Sequence, residues 1–183
     1  MRQPDNSTEM HPRITELLQY ITDRTASLRA AYDAVPPERR GLRSAPGRWS
    51  PAEVVHHVAI VERRVTQRLQ ALVEQARTLE PERQTSSVLA TIDTRRAEER
   101  TRRFVTSEAT EPHDSDPRTV WAEFEETRRA LERVIATADG VDLAAVSAPH
   151  PALGPLNGYD WIAFAGSHAA RHAHQIREDA VAR

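Results

Sequence analysis

The sequence predicts an all-α protein, folded as an antiparallel four-helix bundle. Four segments each carry one stripe of large apolar residues at the spacing of a helix face. No segment alternates apolar and polar residues with a period of two, so strands are not expected. Amphipathic helices with one apolar stripe each bury those stripes most simply by packing together in a bundle.

The first two predicted helices have clear boundaries. The first carries its apolar stripe over residues 14–35 and ends at Pro36, because proline has no amide hydrogen with which to continue a helix. The second begins at Ser50, whose hydroxyl suits an N-cap. Pro51 then occupies the first helical position and Glu53 completes a capping box.

The last two predicted helices lie beyond residue 116. Asp116 and Pro117 are expected to cap the third helix, which should end near Gly140. Asn157 is expected to cap the last helix, which covers residues 159–180.

The segment between the second and third helices has a weaker pattern. Val88, Leu89 and Ile92 predict a short amphipathic helix that runs into an arginine-rich stretch. Residues 110–117 are rich in turn-forming types and predict a loop.

Composition limits the classes of function. With 183 residues, 39% of them hydrophobic, the chain is expected to form one domain over residues 11–183 after a flexible segment at residues 1–10. The net charge is −2, and all 25 basic residues are arginines interleaved with acids, so no nucleic-acid partner is expected. There is no cysteine, which excludes a thiol nucleophile, an iron–sulfur cluster and a disulfide. Histidines and carboxylates remain as metal ligands.

The cellular location is expected to be cytoplasmic. The first residues have no apolar stretch of the kind found in a signal peptide. No run of about 18 apolar residues is present, so no membrane association is expected.

Three of the eight histidines have the positions on their helices that are expected of ligands to one metal ion. His168 and His172 are four residues apart, which places both imidazoles on one face of the last helix. At about 100° per residue, His57 flanks the apolar stripe of the second helix, whereas His56 and His174 face outward. Three imidazoles with open positions are an arrangement that catalytic zinc centres use.

A simpler interpretation remains open for these three histidines. Each can be a core histidine whose nitrogens are satisfied by hydrogen bonds, although burying three imidazoles without a shared partner carries a desolvation cost. His11, His113 and His150 fall in predicted terminal or loop segments and have no partner at metal spacing.

Gln175 and Arg128 are the candidates for a catalytic role. Gln175 lies about one turn beyond His172, where it can hydrogen-bond a ligand imidazole, although a polar residue at the rim of the bundle is an equal alternative. Arg128 lies within the apolar stripe of the third helix, where it either extends to solvent or faces a cavity and binds an acidic substrate. Glu53 and Glu62 are explained by capping and by a solvated helix face.

Two motifs together resemble a known family. A Trp-Ser pair begins eight residues before His57, and the segment GPLNGYDWIAFAGSHAARHAHQI carries the pattern His-x-x-x-His-x-x-Gln-Ile. This combination resembles the DinB-like, or YfiT-like, superfamily. The resemblance implies a four-helix bundle that holds a divalent metal on His57, His168 and His172, often as a homodimer. Members of that family include thiol S-transferases, mycothiol-dependent isomerases and proteins without a known activity.

The chemistry and the resemblance lead to one preferred hypothesis. We expect a divalent-metal protein, with zinc or nickel favoured and iron or manganese as alternatives, because imidazole suits these metals. Its partner is expected to be a small-molecule substrate together with an external low-molecular-weight thiol, which it would use as a thiol S-transferase or thiol-dependent isomerase. A metal-dependent hydrolase and a non-catalytic metal-binding stress or structural bundle are the alternatives.

Overall fold

The computed structural model of the protein describes residues 9–99 and 107–181, and those residues are mostly helical. The helices are α1 (Pro12–Asp33), α2 (Pro51–Ala76), α3 (Arg95–Glu98), α4 (Val120–Ala136) and α5 (Gly158–Val181). Single 3₁₀ turns cover Pro37–Arg39, Glu108–Thr110 and Leu143–Ala145. Two short strands, β1 (Ser147–His150) and β2 (Gly154–Asn157), form an antiparallel pair. The predicted helical class is confirmed, and the predicted flexible segment 1–10 lies mostly outside the described residues.

The caps predicted for two helices are present. At the start of α2, the amide of Glu53 donates to Ser50 Oγ at 3.2 Å, and the amide of Ser50 donates to the Glu53 carboxylate at 2.7 Å. At the start of α5, the amide of Asp160 donates to Asn157 Oδ1 at 2.9 Å, and the amide of Asn157 donates to Asp160 Oδ2 at 3.0 Å. Each reciprocal pair satisfies two amides that a helix start leaves without a helical partner.

The predicted cap of α4 is wrong by one turn. The helix begins at Val120 after Thr119, not directly after Asp116. The Asp116 carboxylate accepts the amide of Arg118 at 2.9 Å, and the Asp116 carbonyl accepts the amide of Val120 at 3.0 Å. Asp116 therefore closes a turn that precedes the helix.

The expectation that the chain contains no strand is also wrong. Strands β1 and β2 pair with Ala148 opposite Leu156 and with His150 opposite Gly154. Each strand has only four residues and contains a proline, so it is too short to display an alternating pattern. Gly154 has φ +84°, which lets the chain reverse direction between the strands.

The short helix predicted from Val88 is wrong as well. Val88 is buried, and its amide donates to the carboxylate of Glu16 on α1 at 2.8 Å. The chain turns at Val88–Ile92 on bonds between residues three apart, and α3 covers four residues only. A tertiary contact thus replaces the helical hydrogen bonds that the apolar spacing predicts. The rest of the arginine-rich stretch, residues 100–106, lies outside the described residues.

Helices α1 and α5 run parallel to each other. Tyr20 on α1 shares a hydrogen bond of 2.9 Å with Ser167, and farther along both helices Arg177 donates to the carbonyl of Ser27 at 2.9 Å. The two helices approach each other closely at Gly166. A Cβ atom added to this glycine would lie 2.4 Å from the Tyr20 ring. The predicted antiparallel order is wrong for this pair.

Helices α2 and α4 also run parallel. One part of the core combines the later residues of both helices, such as Leu69 and Leu131. The other part combines their earlier residues, such as Val58 and Phe124. The start of α4 therefore lies at the level of the start of α2, and Thr110, which precedes α4, contacts His57 at this level.

No helix in the described part of the chain is both long enough and apolar enough to cross a membrane.

The first turn of α1 is tied to the start of the long connection by Arg13. The Arg13 guanidinium donates to Glu82 at 2.7 Å, to Gln84 at 3.0 Å and to the backbone and hydroxyl oxygens of Ser86 at 3.0 and 3.1 Å. The hydroxyl of Tyr159, at the start of α5, donates to the same Glu82 oxygen at 2.9 Å. One carboxylate thus joins α1, α5 and the connection.

Replacing Arg13 by methionine should lower the free energy of unfolding by about 3 kcal/mol, because it leaves an enclosed carboxylate without its cation. Arg13 is only 7% exposed. Arg95→Met is the matched control, since the Arg95 side chain is 89% exposed and its pair with Asp93 should contribute less than about 1 kcal/mol. Urea unfolding measures both variants, and an equal loss in the two would contradict this role for Arg13.

Candidate metal centre

Three histidines from two helices gather at one point. His57 lies on α2, and His168 and His172 lie on α5. One ring nitrogen of each lies within 4.8 Å of the others, and the ring centroids are 4.5–5.1 Å apart. Within residues 9–99 and 107–181, this is the group of potential ligands close enough to hold a metal ion. The structure therefore brings together the three histidines that spacing selected.

A hydrogen bond to the long connection orients His57. The Nδ1 atom of His57 lies 2.8 Å from the carbonyl oxygen of Thr110. Because a carbonyl can only accept, Nδ1 must carry the proton, which leaves Nε2 with a free lone pair. The Trp49 ring covers the imidazole at a centroid distance of 4.7 Å. The sequence could not indicate a role for Thr110, because the contact uses a backbone carbonyl, which every residue type has.

Gln175 orients His172 in the same way. The Nδ1 atom of His172 lies 2.9 Å from Gln175 Oε1, which again leaves Nε2 unprotonated. The Nε2 atoms of His172 and His168 are 3.1 Å apart. A carbonyl oxygen that fixes the far nitrogen of an imidazole is the usual partner of a metal-binding histidine. The structure thus places Gln175 against His172, one of the three candidate ligands, as one of its two expected roles required.

Burial favours the neutral form of two of the imidazoles, those of His57 and His168. It lowers the pKa of His57, although the bond to Thr110 opposes this shift. Burial also holds the pKa of His168 well below its usual range, and the nearby imidazoles and Arg171 lower it further. Only the neutral imidazole has a lone pair with which to bind a cation.

One pair of donors has the spacing that a small divalent cation requires. Two imidazole nitrogens bound tetrahedrally to one zinc at about 2.0–2.1 Å are separated by roughly 3.3–3.4 Å. The two Nε2 atoms of His168 and His172 are 3.1 Å apart, close to that separation, and a ring nitrogen of His57 lies within 4.8 Å of the other two residues' ligand atoms. All three donors are imidazole nitrogens, so the group suits zinc, nickel or another metal that binds imidazole.

Four of the other histidines lie outside this group, as their positions predicted. His56 and Ser115 share a hydrogen bond of 2.8 Å, and His174 is exposed. His11 caps α1 by accepting the amide of Arg13 at 3.3 Å, and His113 is exposed.

His150 is the functional candidate that sequence reasoning missed. It lies at the end of β1, is half-buried, and packs on Phe164 at 4.5 Å and on Trp161 at 5.3 Å between ring centroids. Phe164 in turn lies 5.4 Å from the ring of His168. The sequence placed His150 in a loop, and only the hairpin brings it to the neighbourhood of the three histidines.

Arg128 is buried against a carboxylate. It is 3% exposed and donates to Glu62 at 2.6 Å, while its guanidinium lies 5.4 Å from the Phe124 ring. The interpretation of Glu62 as part of a solvated helix face is wrong, since Glu62 is 2% exposed. The two residues form an ion pair between α2 and α4, and no hydrogen bond or ring contact found in the described residues joins Arg128 to the three histidines.

Burial dominates the ionisation of this pair. It raises the pKa of Glu62 to about 7, and the positive charge of Arg128 only partly opposes the shift. In the described part of the structure, the second carboxylate oxygen and two guanidinium nitrogens of the pair have no hydrogen-bond partner. Burying this incompletely hydrogen-bonded pair between α2 and α4 therefore costs free energy of folding.

A family model matches most of the chain. The family model described as the DinB superfamily matches residues 21–176, a range that includes all three histidines. No curated protein and no solved structure matches the chain.

The raised pKa of Glu62 predicts a pH dependence of stability. Between the ordinary value of 4.5 and about 7, the folded protein holds a proton that the unfolded chain has released. Stability should therefore fall as the pH rises through this window, by roughly 1–3 kcal/mol between pH 5 and pH 8.

Glu62→Gln should lack this part of the loss, because the amide does not ionise. Urea unfolding at pH 5 and pH 8 measures the difference, with the exposed Glu74→Gln as the matched control. If Glu62→Gln keeps the full pH dependence of the original protein, the carboxyl does not titrate in this window.

Proposed function

This chain belongs to the DinB superfamily, and we propose that it binds a divalent metal ion and acts as a thiol S-transferase or thiol-dependent isomerase. His57, His168 and His172 would hold the ion. The observation that supports this most is the meeting of three imidazoles, two of which have their Nδ1 atoms held by carbonyl oxygens: His57 by Thr110 and His172 by Gln175.

Three histidine ligands leave coordination positions of the metal open for a substrate. A metal with three protein ligands keeps at least one position for another molecule, as catalytic centres do. When bound, the ion would supply a positive charge that lowers the pKa of a coordinated thiol or water and makes it nucleophilic at neutral pH. The residues of the chain would contribute the orientation: Thr110 holds His57, and Gln175 holds His172.

An external thiol is the nucleophile that this site suits best. Three neutral ligands leave the full charge of the ion uncompensated, which favours an anionic thiolate. The chain has no cysteine, so the sulfur must come from a small molecule. In such a transfer, the thiol releases its proton to solvent, the sulfur forms a bond to an electrophilic carbon, and the leaving group departs with the bonding pair.

Hydrolysis finds less support in the residues near the histidines. The polar side chain bonded to His172 is the amide of Gln175, which is not a base, and the carboxylate of Glu62 is occupied by Arg128. A non-catalytic metal-binding role is the other alternative, and the assay below separates the three. We also propose zinc or nickel as the metal and a homodimer as the active form, which the family resemblance supports.

Metal content should depend on three histidines and not on their neighbours. His57→Ala, His168→Ala and His172→Ala should each lose most of the metal, because two imidazoles bind an ion much more weakly than three. His56→Ala and His174→Ala are the matched controls and should keep it. Elemental analysis of each protein as purified measures this, and an equal loss from His56→Ala and His57→Ala would contradict the assignment.

Turnover of an electrophile should require both the metal and a thiol. Bacillithiol, mycothiol, glutathione and coenzyme A are offered separately to the metal-loaded protein with one electrophile. His172→Ala should reduce any thiol-dependent rate by at least about 100-fold, while His56→Ala should not change it. Ester or amide hydrolysis without a thiol would favour the hydrolase instead, and a metal-loaded protein that does neither would favour the non-catalytic role.

A further inference from the structure

His150 carries a hydrogen-bond donor whose position is fixed by its own hairpin. The Nδ1 atom of His150 accepts the amides of Ala152 and Leu153, both at 3.1 Å. A nitrogen that accepts two amide hydrogens has no proton of its own, so the neutral ring carries its proton on Nε2. His57 and His172 have the opposite tautomer, with the proton on Nδ1 and a lone pair on Nε2. His150 is therefore suited to donate and not to bind a cation.

This donor lies one aromatic ring away from the metal ligands. His150 packs on Phe164 at 4.5 Å, and Phe164 packs on His168 at 5.4 Å between centroids. The rings of His150 and His168 are therefore no more than about 10 Å apart. Because this distance is an upper limit, one small molecule of that length or shorter can contact both rings.

The surroundings of His150 favour a ligand with an apolar body and a polar end. Trp161 lies 5.3 Å from His150 and stands nearly perpendicular to Phe164, at 85°. The indole N–H of Trp161 is buried and has no partner in the described part of the structure. This corner between the hairpin and α5 thus combines two aromatic faces with ring N–H donors, and oxygen acceptors are what such donors bind.

We propose that His150 binds an oxygen acceptor, a carboxylate or a carbonyl, on the small molecule held at His57, His168 and His172. The inference rests on the proposed function and specifies its substrate class. The bound molecule carries a group that coordinates the metal at one end and an oxygen acceptor a few bonds away. His150 Nε2–H donates to that oxygen and sets the orientation of the molecule.

Two substitutions separate this role from a structural one. An asparagine amide oxygen takes the place of Nδ1, so His150→Asn keeps an acceptor for Ala152 and Leu153 but loses the distal donor. A glutamine amide nitrogen takes the place of Nε2, so His150→Gln keeps the donor and loses the acceptor. If His150 only supports the hairpin, His150→Asn should retain ligand binding and His150→Gln should lose it. If His150 binds the substrate, His150→Gln should retain ligand binding and His150→Asn should lose it.

The binding experiment uses cobalt(II)-loaded protein, whose visible spectrum reports a thiolate at the metal. Mercaptoacetate, 3-mercaptopropionate and 4-mercaptobutyrate vary the distance between sulfur and carboxylate, and 1-propanethiol is the probe without an oxygen. We expect at least one of the three carboxylates to bind about tenfold more weakly to His150→Asn than to the original protein. Propanethiol should bind both equally, and His150→Gln should retain most of the carboxylate affinity.

The outcomes distinguish this inference from the function on which it rests. If thiols bind the cobalt but His150→Asn binds every carboxylate as tightly as the original protein does, the inference is wrong and the proposed function stands. If cobalt binds and no thiol changes its spectrum, the proposed function is wrong and the inference falls with it. In the metal-free protein, ¹⁵N NMR should show the proton of His150 on Nε2, and a proton on Nδ1 would overturn the inference without any ligand.

Discussion

Two hydrogen bonds to carbonyl oxygens determine what the three histidines can do. Thr110 and Gln175 each take the Nδ1 proton of one imidazole, so His57 and His172 both keep a lone pair on Nε2. Burial adds to this by disfavouring the charged form of His57 and His168. His57 and His172 thus present an unprotonated Nε2 before any cation binds, whereas the Nε2 atom of His168, which hydrogen-bonds to that of His172 at 3.1 Å, would have to give up a proton to a cation.

The relative direction of the helices also contributes to the orientation of His57. Because α2 and α4 run parallel, the segment that precedes α4 lies beside the early part of α2, where the Thr110 carbonyl meets His57. The parallel pair also encloses Glu62 and Arg128, a buried ion pair whose desolvation is unfavourable. We interpret that pair as a device that fixes the register of α4 against α2, since a shift of either helix would leave one of the two buried charges without its partner.

The features that were predicted correctly depend on residues that lie close together in the sequence. The caps at Ser50 and Asn157 and the shared face of His168 and His172 follow from spacing along one helix, and the structure has all of them. The parallel helix pairs, the hairpin, the contact of Thr110 with His57 and the burial of Glu62 depend on residues far apart in sequence. Periodicity carries no information about such contacts, so the hairpin was predicted as a loop and Glu62 as a surface residue.

The proposed function requires that three imidazoles and no other protein group bind one metal ion and leave a position open. The X-ray absorption spectrum of the zinc-loaded protein is the decisive measurement. We expect about three imidazole nitrogens at roughly 2.0–2.1 Å, with the remaining coordination completed by a light atom that an exogenous thiol replaces with sulfur. A spectrum with four protein ligands, or one that added thiol leaves unchanged, would contradict it.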